Sequence, residues 1–371
     1  KKNQLRKIFN VKRFKSNVID IKNEKKISFS CNDYLSLSFN KEVINASLVA
    51  VSKYGVGAGA SRLITGNNIL YSKLEEKIKN LKNVQGCCVF GSGFLANIGV
   101  IPALVDKNDL ILIDELSHAS TFLGAKLSGA NIIKFKHNNV RDLESKLIKY
   151  RNKNLKCLIL TEGVFSMDGD ISPQDKISTI KNKFNAQLLV DDAHGLGVLG
   201  DGSGSSSVFK NKTCIDIYIG TLSKAVGAYG GFVCGNKDLI NFIINRCRTQ
   251  IYTTGLPPGV LAACIKAIDI ITKNKTLIKK PLQNAMYFCN QLGVSIPSSP
   301  IVPLIVGEEK KTIKLSKILF NEGYLVGAIR PPTVPINTSR LRIAFNAAHT
   351  KKQIKSLADI IKKNLKPYNG K

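Results

Sequence analysis

Lys224 sits in the stretch IGTLSKAVGAYGG (219–231), directly after an apolar run and among Thr221, Ser223, Ala225 and Gly227. An amine placed there is poorly solvated, which lowers its pKa and favours attack on a carbonyl to give a Schiff base. The same lysine would be inert if its stem carried the amine out to water. A second stretch, VDDAHGLGVLGDG (190–202), ends the apolar run Gln187-Leu188-Leu189-Val190 on Asp191 and Asp192, with His194 close behind and glycines after it. A carboxylate at the end of a buried strand needs a cationic partner, and the glycines are expected to leave space for something flat and large. A turn with capping acids would use the same residues. A third stretch, FGSGFLANIG (90–99), places Gly91, Ser92, Gly93 and Phe94 between a strand and a helix. Backbone amides at such a helix start make a phosphate cradle.

A buried amine, a phosphate cradle and a carboxylate facing a cationic ring nitrogen together describe a site for pyridoxal 5'-phosphate. The glycine stretch also reads as G-x-G-x-x-A, Gly91 to Ala96, and Asp114 ends the next strand 23 residues on. That mimics the fingerprint of an NAD-dependent oxidoreductase. The dinucleotide reading leaves Lys224, Asp191 and His194 without a role.

These residues fall at the ends of short apolar strands that alternate with helical stretches. Strands are predicted at 84–90, 110–114, 132–135, 157–161, 188–191, 215–219 and 232–234, and helices at 94–104, 119–128, 140–150 and 174–183. The alternation predicts an α/β fold, a mostly parallel sheet with helices on both faces, whose ligands collect beyond the carboxyl ends of the strands. Helical patterns dominate 237–292. Strands at 302–306, 325–329 and 341–344, with helices at 312–322 and 353–363, then make a small α+β unit. The expected division is an N-terminal arm over 1–40, a large cofactor-binding domain over 41–280 and a small C-terminal domain over 281–371. Residues 1–25, basic and weakly periodic, read as a helical arm and a turn.

The set resembles the fold-type I, aminotransferase-like pyridoxal-phosphate enzymes. Within them it is similar to the α-oxoamine synthases, which condense an amino acid with an acyl thioester and lose carbon dioxide. The matching pieces are NDYLSL (32–37), GAGASRLITGN (57–67), GSGFLAN (91–97), DELSHAS (114–120), TEGVFSMDGD (161–170), DDAHGLGVLG (191–200), GTLSKAVG (220–227) and AIRPPTVP (328–335). The last resembles the branch that serves biotin biosynthesis by joining L-alanine to a pimeloyl thioester. The rival branch is glycine C-acetyltransferase.

The resemblance implies a role for each matching position. Lys224 would be the Schiff-base lysine and Asp191 the acid that keeps the pyridinium nitrogen protonated. His194 and Ser166 would lie beside the ring hydroxyl. His118 would stack on the ring's other face and serve as a proton donor or orienter; without this context it reads as a helix-capping histidine. Gly93 and Phe94 would offer amides, and Thr221 a hydroxyl, to the cofactor and its phosphate. Thr254, in YTTGLPP, would reach a phosphate across a homodimer interface. Arg342 would clamp the amino acid's carboxylate, for which bidentate geometry suits arginine. Arg6, Asn32, Glu162 and Thr333 would lie on the substrate side. Three departures stand out: Ser223 where many relatives carry glycine, Leu196 where Thr or Ser is common, and Ile336-Asn337 where a small residue and glycine are usual. The last bears on the loop that holds the acyl chain and leaves its length preference open.

Composition bounds the partners. The formal charge is +29, from 55 basic and 26 acidic residues among 371. Such a balance suggests nucleic acid or an anionic surface, but the lysines are spread along the whole chain, tryptophan is absent, and no arginine–aromatic array occurs. The excess therefore reads as solvated surface that would attract an acidic acyl carrier protein or a phosphorylated acyl donor. A regulatory nucleic-acid binder would need an appendage, and residues 1–25 are too short for one. The nine cysteines are odd in number, include no CxxC and mostly lie in apolar runs. They read as reduced core residues of a cytoplasmic protein. The four histidines show no paired ligand spacing, so no catalytic metal is expected. No apolar run is long enough to span a bilayer, and no secretory signal pattern is present.

Overall fold

The computed structural model describes residues 8–151, 156–211 and 213–365. Arg6 lies outside the described residues. In chain order the strands are β1 (Lys12–Lys15), β2 (Val18–Ile21), β3 (Glu24–Ser28), β4 (Gly86–Phe90), β5 (Leu110–Asp114), β6 (Asn131–Phe135), β7 (Cys157–Glu162), β8 (Gln187–Asp191), β9 (Ile217–Thr221), β10 (Gly231–Gly235), β11 (Ile301–Gly307), β12 (Tyr324–Leu325), β13 (Gly327–Ile329) and β14 (Ser339–Ala344). The helices are α1 (Lys41–Tyr54), α2 (Leu70–Lys82), α3 (Gly93–Leu104), α4 (Ala119–Ser128), α5 (Val140–Tyr150), α6 (Gln174–Lys183), α7 (Lys237–Arg246), α8 (Arg248–Ile251), α9 (Pro258–Lys273), α10 (Lys275–Leu292), α11 (Glu309–Asn321) and α12 (Lys351–Asn364).

The central sheet has the order β4-β10-β9-β8-β7-β5-β6. The strands β9, β8, β7, β5 and β6 run parallel, and β10 is antiparallel to both its neighbours. Its inner strands are short apolar runs because both faces are covered. On one face Leu158, Leu160, Leu189, Ile217 and Ile219 pack with Val100 and Ile101 of α3. On the other, Cys157, Ile159, Leu188 and Val190 pack with Leu143, Leu147 and Ile177 of α5 and α6. Side chains alternate along a strand, so the parity of a residue at a strand's carboxyl end decides which face it serves.

The smaller sheets hold the C-terminal region. β11, β14 and β13 pair antiparallel, with β14 in the middle. The predicted strand over 325–329 is two short strands: β12 joins β3 in parallel while β13 joins β14. Phe29, Phe288, Leu341, Ile343 and Ile354 form the core beneath them. The N-terminal residues are a correction to the expected helical arm, since β1, β2 and β3 form antiparallel pairs. Lys22 and Asn23 both have positive φ (55° and 66°), and Ile21 pairs with Glu24. That is the two-residue primed turn that asparagine favours and that matches strand twist. Ile19 and Ile21 are buried, a period of two that the lysine-rich surroundings conceal.

One histidine ties these parts together and sets an acid limit on stability. The His349 ring stacks on Phe29 at 3.9 Å, accepts from the Asn346 amide at Nδ1 (3.0 Å) and reaches the Ser28 carbonyl through Nε2 (3.0 Å). Burial pushes its pKa down from 6.5 to about 4 against the pull of that carbonyl. Between those values the unfolded chain binds a proton that the folded chain refuses. Folding stability is therefore full above pH 6.5 and is lost as pH falls toward 4, by up to about 3 kcal/mol. Urea midpoints measured across this range should show the loss in the wild type, and His349→Gln should remove most of that slope.

Candidate active site

The carboxyl ends of β7, β8 and β9 carry Glu162, Asp191 and Thr221, with Glu162 directly opposite Asp191 in the ladder. By strand parity all three face α3. Asp191 is held from both sides: its Oδ2 accepts from Asn97 Nδ2 at 2.7 Å and its Oδ1 from the Ala193 amide at 3.1 Å. The second Asn97 N–H reaches Ser120 Oγ at 3.1 Å, and Ser120 Oγ lies 2.6 Å from His118 Nδ1. A buried chain of hydrogen bonds thus links the acid to His118, which also caps α4 by accepting from the Ser120 amide. The capping and site readings of His118 describe one residue. Sequence reasoning missed Asn97 and Ser120. The available signal was Asn97's place one turn into α3, on the face that meets the sheet.

Lys224 follows β9. The residue as a whole is half-buried, and its amine is the enclosed end. Burial lowers its pKa below the ordinary lysine value, against the pull of Asp191 and Glu162. Among the described residues its amine has no hydrogen-bond or ion-pair partner. Glu162 is buried, and burial together with Asp191 raises its pKa well above the carboxylate range; it accepts the His118 backbone N–H. Burial lowers His118 despite Asp191, and burial with Lys224 and Arg342 lowers His194 far below 6.5. Both imidazoles are neutral near pH 7. His194 Nδ1 lies 2.7 Å from the Tyr34 hydroxyl, a second contact that sequence reasoning missed.

β14 supplies two buried arginines of different standing. Arg340 pairs with Asp168. Arg342 donates through Nε to the Ser166 carbonyl and through Nη1 and Nη2 to Asn32 Oδ1, each at 3.2 Å. Arg342 has no carboxylate partner among the described residues, although it is only 8% exposed. A buried guanidinium without a counter-ion is a carboxylate site in waiting. Ser166 touches this arginine through its carbonyl; among the described residues its hydroxyl has no hydrogen bond to the cluster.

At the start of α3, Ser92 satisfies Leu95 through its hydroxyl and Ala96 through its carbonyl. The amides of Gly93 and Phe94 have no carbonyl within the helix to reach. A Cβ at Gly93 would come within 3.4 Å of the Thr221 Cβ, so the helix start abuts the end of β9. Thr221 Oγ1 lies 2.7 Å from Ser223 Oγ. Thr254 bridges Ser61, and Thr333 lies exposed in a loop where its amide reaches the Arg330 carbonyl. Among the described residues neither threonine is hydrogen-bonded to the cluster.

The second acid of the opening pair and the glycines behind it have another purpose. Asp192 faces away from Asp191 and pairs with Lys82 at 2.9 Å, both side chains 1% exposed. A Cβ at Gly163, Gly195 or Gly204 would strike the Asp192 carboxylate at 2.2, 2.1 and 1.8 Å. These glycines make room for a buried ion pair; the expectation that the glycines of 190–202 open space for a flat ligand is corrected for Gly195. Asp114 is likewise committed. It is fully buried and lies 3.0 Å from His137 Nδ1, and it accepts from the Asn138 and Leu116 amides. Burial opposes charge on His137, but its bonds to Asp114 and Asp170 outweigh that and raise its pKa to about 10. Fully buried and tied to these partners, Asp114 is out of reach of a ribose, so the dinucleotide fingerprint lacks its acid.

The unpaired amine of Lys224, the fixed Asp191, the counter-ion-free Arg342 and the open amides of Gly93 and Phe94 fit pyridoxal phosphate: amine for carbonyl, acid for ring nitrogen, amides for phosphate. Fold and site together define a fold-type I pyridoxal-phosphate enzyme. The chain belongs to the family described as aminotransferase class I and II, whose model matches residues 24–361, and within it to the α-oxoamine synthases. It is 48% identical over 343 residues to the 8-amino-7-oxononanoate synthase of Beijerinckia indica subsp. indica, covering 92% of this chain and 89% of that one. It is 46% identical to the enzyme of the same name from Granulibacter bethesdensis, covering 93% and 89%. Among solved structures it superposes on serine palmitoyltransferase from S. paucimobilis with a TM-score of 0.91 at 28% identity, covering 96% and 92%. On 8-amino-7-oxononanoate synthase from Francisella tularensis the TM-score is 0.78 at 31% identity, covering 91% and 97%. The chain is a pyridoxal-phosphate-dependent, acyltransferase-type α-oxoamine synthase of the biotin-pathway kind. Among the described residues no helix is long and apolar enough to cross a membrane.

Proposed function

We propose that this enzyme condenses L-alanine with a pimeloyl thioester to give 8-amino-7-oxononanoate, releasing the thiol and carbon dioxide. The observation that carries the reading is Arg342, a buried guanidinium with no counter-ion among the described residues, close enough to the unpaired Lys224 amine to act on its charge. Bound pyridoxal phosphate supplies the electron sink that acidifies the amino acid's Cα. Arg342 grips the α-carboxylate, with the Ser166 carbonyl on its Nε fixing the plane of its fork. Lys224, its amine enclosed and its pKa lowered by burial, would take the Cα proton. Asp191, held by Asn97, keeps the ring nitrogen protonated, which is the dominant electrostatic contribution. His118 would lie against the ring's face and donate or orient the proton that takes the place of the lost carbon dioxide, with Ser120 setting its orientation. His194 would hydrogen-bond the ring hydroxyl, while Gly93, Phe94 and Thr221 would hold the phosphate. Glu162 and Thr333 would serve the substrate side.

A homodimer is the supporting assembly. Phe94, Leu116, Leu123, Leu127 and Tyr252 are large apolar residues left exposed around α3, α4 and α8, and Thr254 would complete a partner's phosphate site there. The net charge of +29 favours an acidic carrier for the acyl group. Turnover measured across amino acids and acyl thioesters tests the reading. Alanine with a pimeloyl thioester should give the highest kcat/KM, and the carrier-protein form should lose its advantage as salt rises. Equal or greater turnover of glycine with acetyl-CoA would instead establish the glycine C-acetyltransferase reading.

A further inference from the structure

Tyr34 stands between the amino-acid clamp and the cofactor side of the pocket. Its hydroxyl is 2.7 Å from His194 Nδ1 and 3.3 Å from Asn32 Oδ1. The phenol is fully buried, and burial pushes its pKa up to about 12 despite the nearby Arg342, so it keeps its one proton to donate. Asn32 Oδ1 has two lone pairs, and both are met by guanidinium hydrogens from Arg342 Nη1 and Nη2. Tyr34 is therefore the third and longest contact to that crowded oxygen, at 3.3 Å. The contact to His194 Nδ1, at 2.7 Å, is the shorter and the better acceptor for the phenol proton. His194 is neutral, so a donor at Nδ1 leaves its own proton on Nε2.

We infer that Tyr34 fixes His194 as the Nε2–H tautomer and couples that tautomer to the occupancy of Arg342. A carboxylate arriving on Arg342 draws the Nη1 and Nη2 hydrogens off Asn32. Oδ1 then has a free lone pair, and the Tyr34 proton divides between Asn32 and His194. No bond other than hydrogen bonds is made or broken. Tyr34 is a positioning residue: it touches neither reacting atom, yet it tells the histidine beside the cofactor whether an amino acid is bound. The inference rests on the placement of Arg342 and His194 in the site and is independent of which acyl donor is used, so a failed substrate screen leaves it standing.

Only four histidines are present, so nitrogen-15 NMR of histidine-labelled holoenzyme resolves the point, with His194→Asn as the assignment control. In the wild type, His194 should show an unprotonated Nδ1 and a protonated Nε2. Propionate, which has the carboxylate but no amine, should shift the His194 nitrogens at concentrations that compete with alanine. Tyr34→Phe should bring in a population protonated at Nδ1 and abolish the propionate response. Asn32→Ala should keep the Nε2–H tautomer and also lose the response, because the competing acceptor is gone; this variant decides the matter if Tyr34→Phe fails to fold. A wild-type His194 protonated at Nδ1, no shift with propionate, or a shift that survives in either variant would overturn the inference.

Discussion

Lys224→Ala protein should take up pyridoxal phosphate without covalent attachment and lose turnover by about 10⁴-fold or more, the scale of removing a nucleophile that is also the proton acceptor. Borohydride should then fail to fix the cofactor to the chain, which intact mass would show, whereas the wild type should gain the reduced adduct. Among the described residues the amine has no structural task. Asp191 keeps its bonds from Asn97 and Ala193 without it, and no acid is paired to Lys224. Stability of the apo variant should therefore stay within about 1 kcal/mol of wild type. Undiminished turnover in this variant would remove the basis of the assignment.

Local physics was legible in the sequence and distant partners were not. The helices predicted at 119–128, 140–150 and 174–183 end where the structure ends them. The second carries an apolar stripe through Leu143 and Leu147 and the third through Ile177 and Ile180, and their ends and that of the first carry local signals such as the Asn139 side-chain cap and the αL Gly129. The hairpin of β2 and β3 was hidden because β2 is only four residues long and β3 carries Glu24-Lys25-Lys26; Lys22-Asn23 was the readable clue. At the site, Lys224, Asp191 and the α3 start were visible as residue types at strand ends. The residues that hold them were not. Asn97 is 94 positions from Asp191 and Tyr34 is 160 positions from His194, and nothing local marks either pairing. Resemblance could supply roles for Thr254 and Thr333, but their surroundings within one chain add no hydrogen bond to the cluster.

The adjacent acids Asp191 and Asp192 show what strand parity does, and a second large effect follows from it. Lys82→Ala should destabilise the folded protein by about 3–5 kcal/mol, the cost of leaving a buried carboxylate without its cation. Lys82 Nζ donates to Asp192 at 2.9 Å and to the Ser203 carbonyl at 2.6 Å, and it lies 4.6 Å over the Tyr218 ring. Asp192 accepts in addition from the Ser205 amide at 3.2 Å. Gly195 and Gly204 close over the carboxylate so tightly that it cannot turn to water. Urea unfolding of the variant, at the same cofactor concentration as wild type because a bound ligand shifts the midpoint, should show a lower midpoint with an unchanged slope. Asp192→Asn should lose less, since the Lys82 cation it leaves behind keeps the amide oxygen, the Ser203 carbonyl and the Tyr218 ring as partners. A Lys82→Ala loss under about 1 kcal/mol would mean that water reaches Asp192, and with it that the glycines of this turn are not packed around a sealed ion pair. The folded fraction of this variant should turn over at the wild-type rate, because Asp191 hangs from the opposite face of the sheet and shares no hydrogen-bond partner with Lys82.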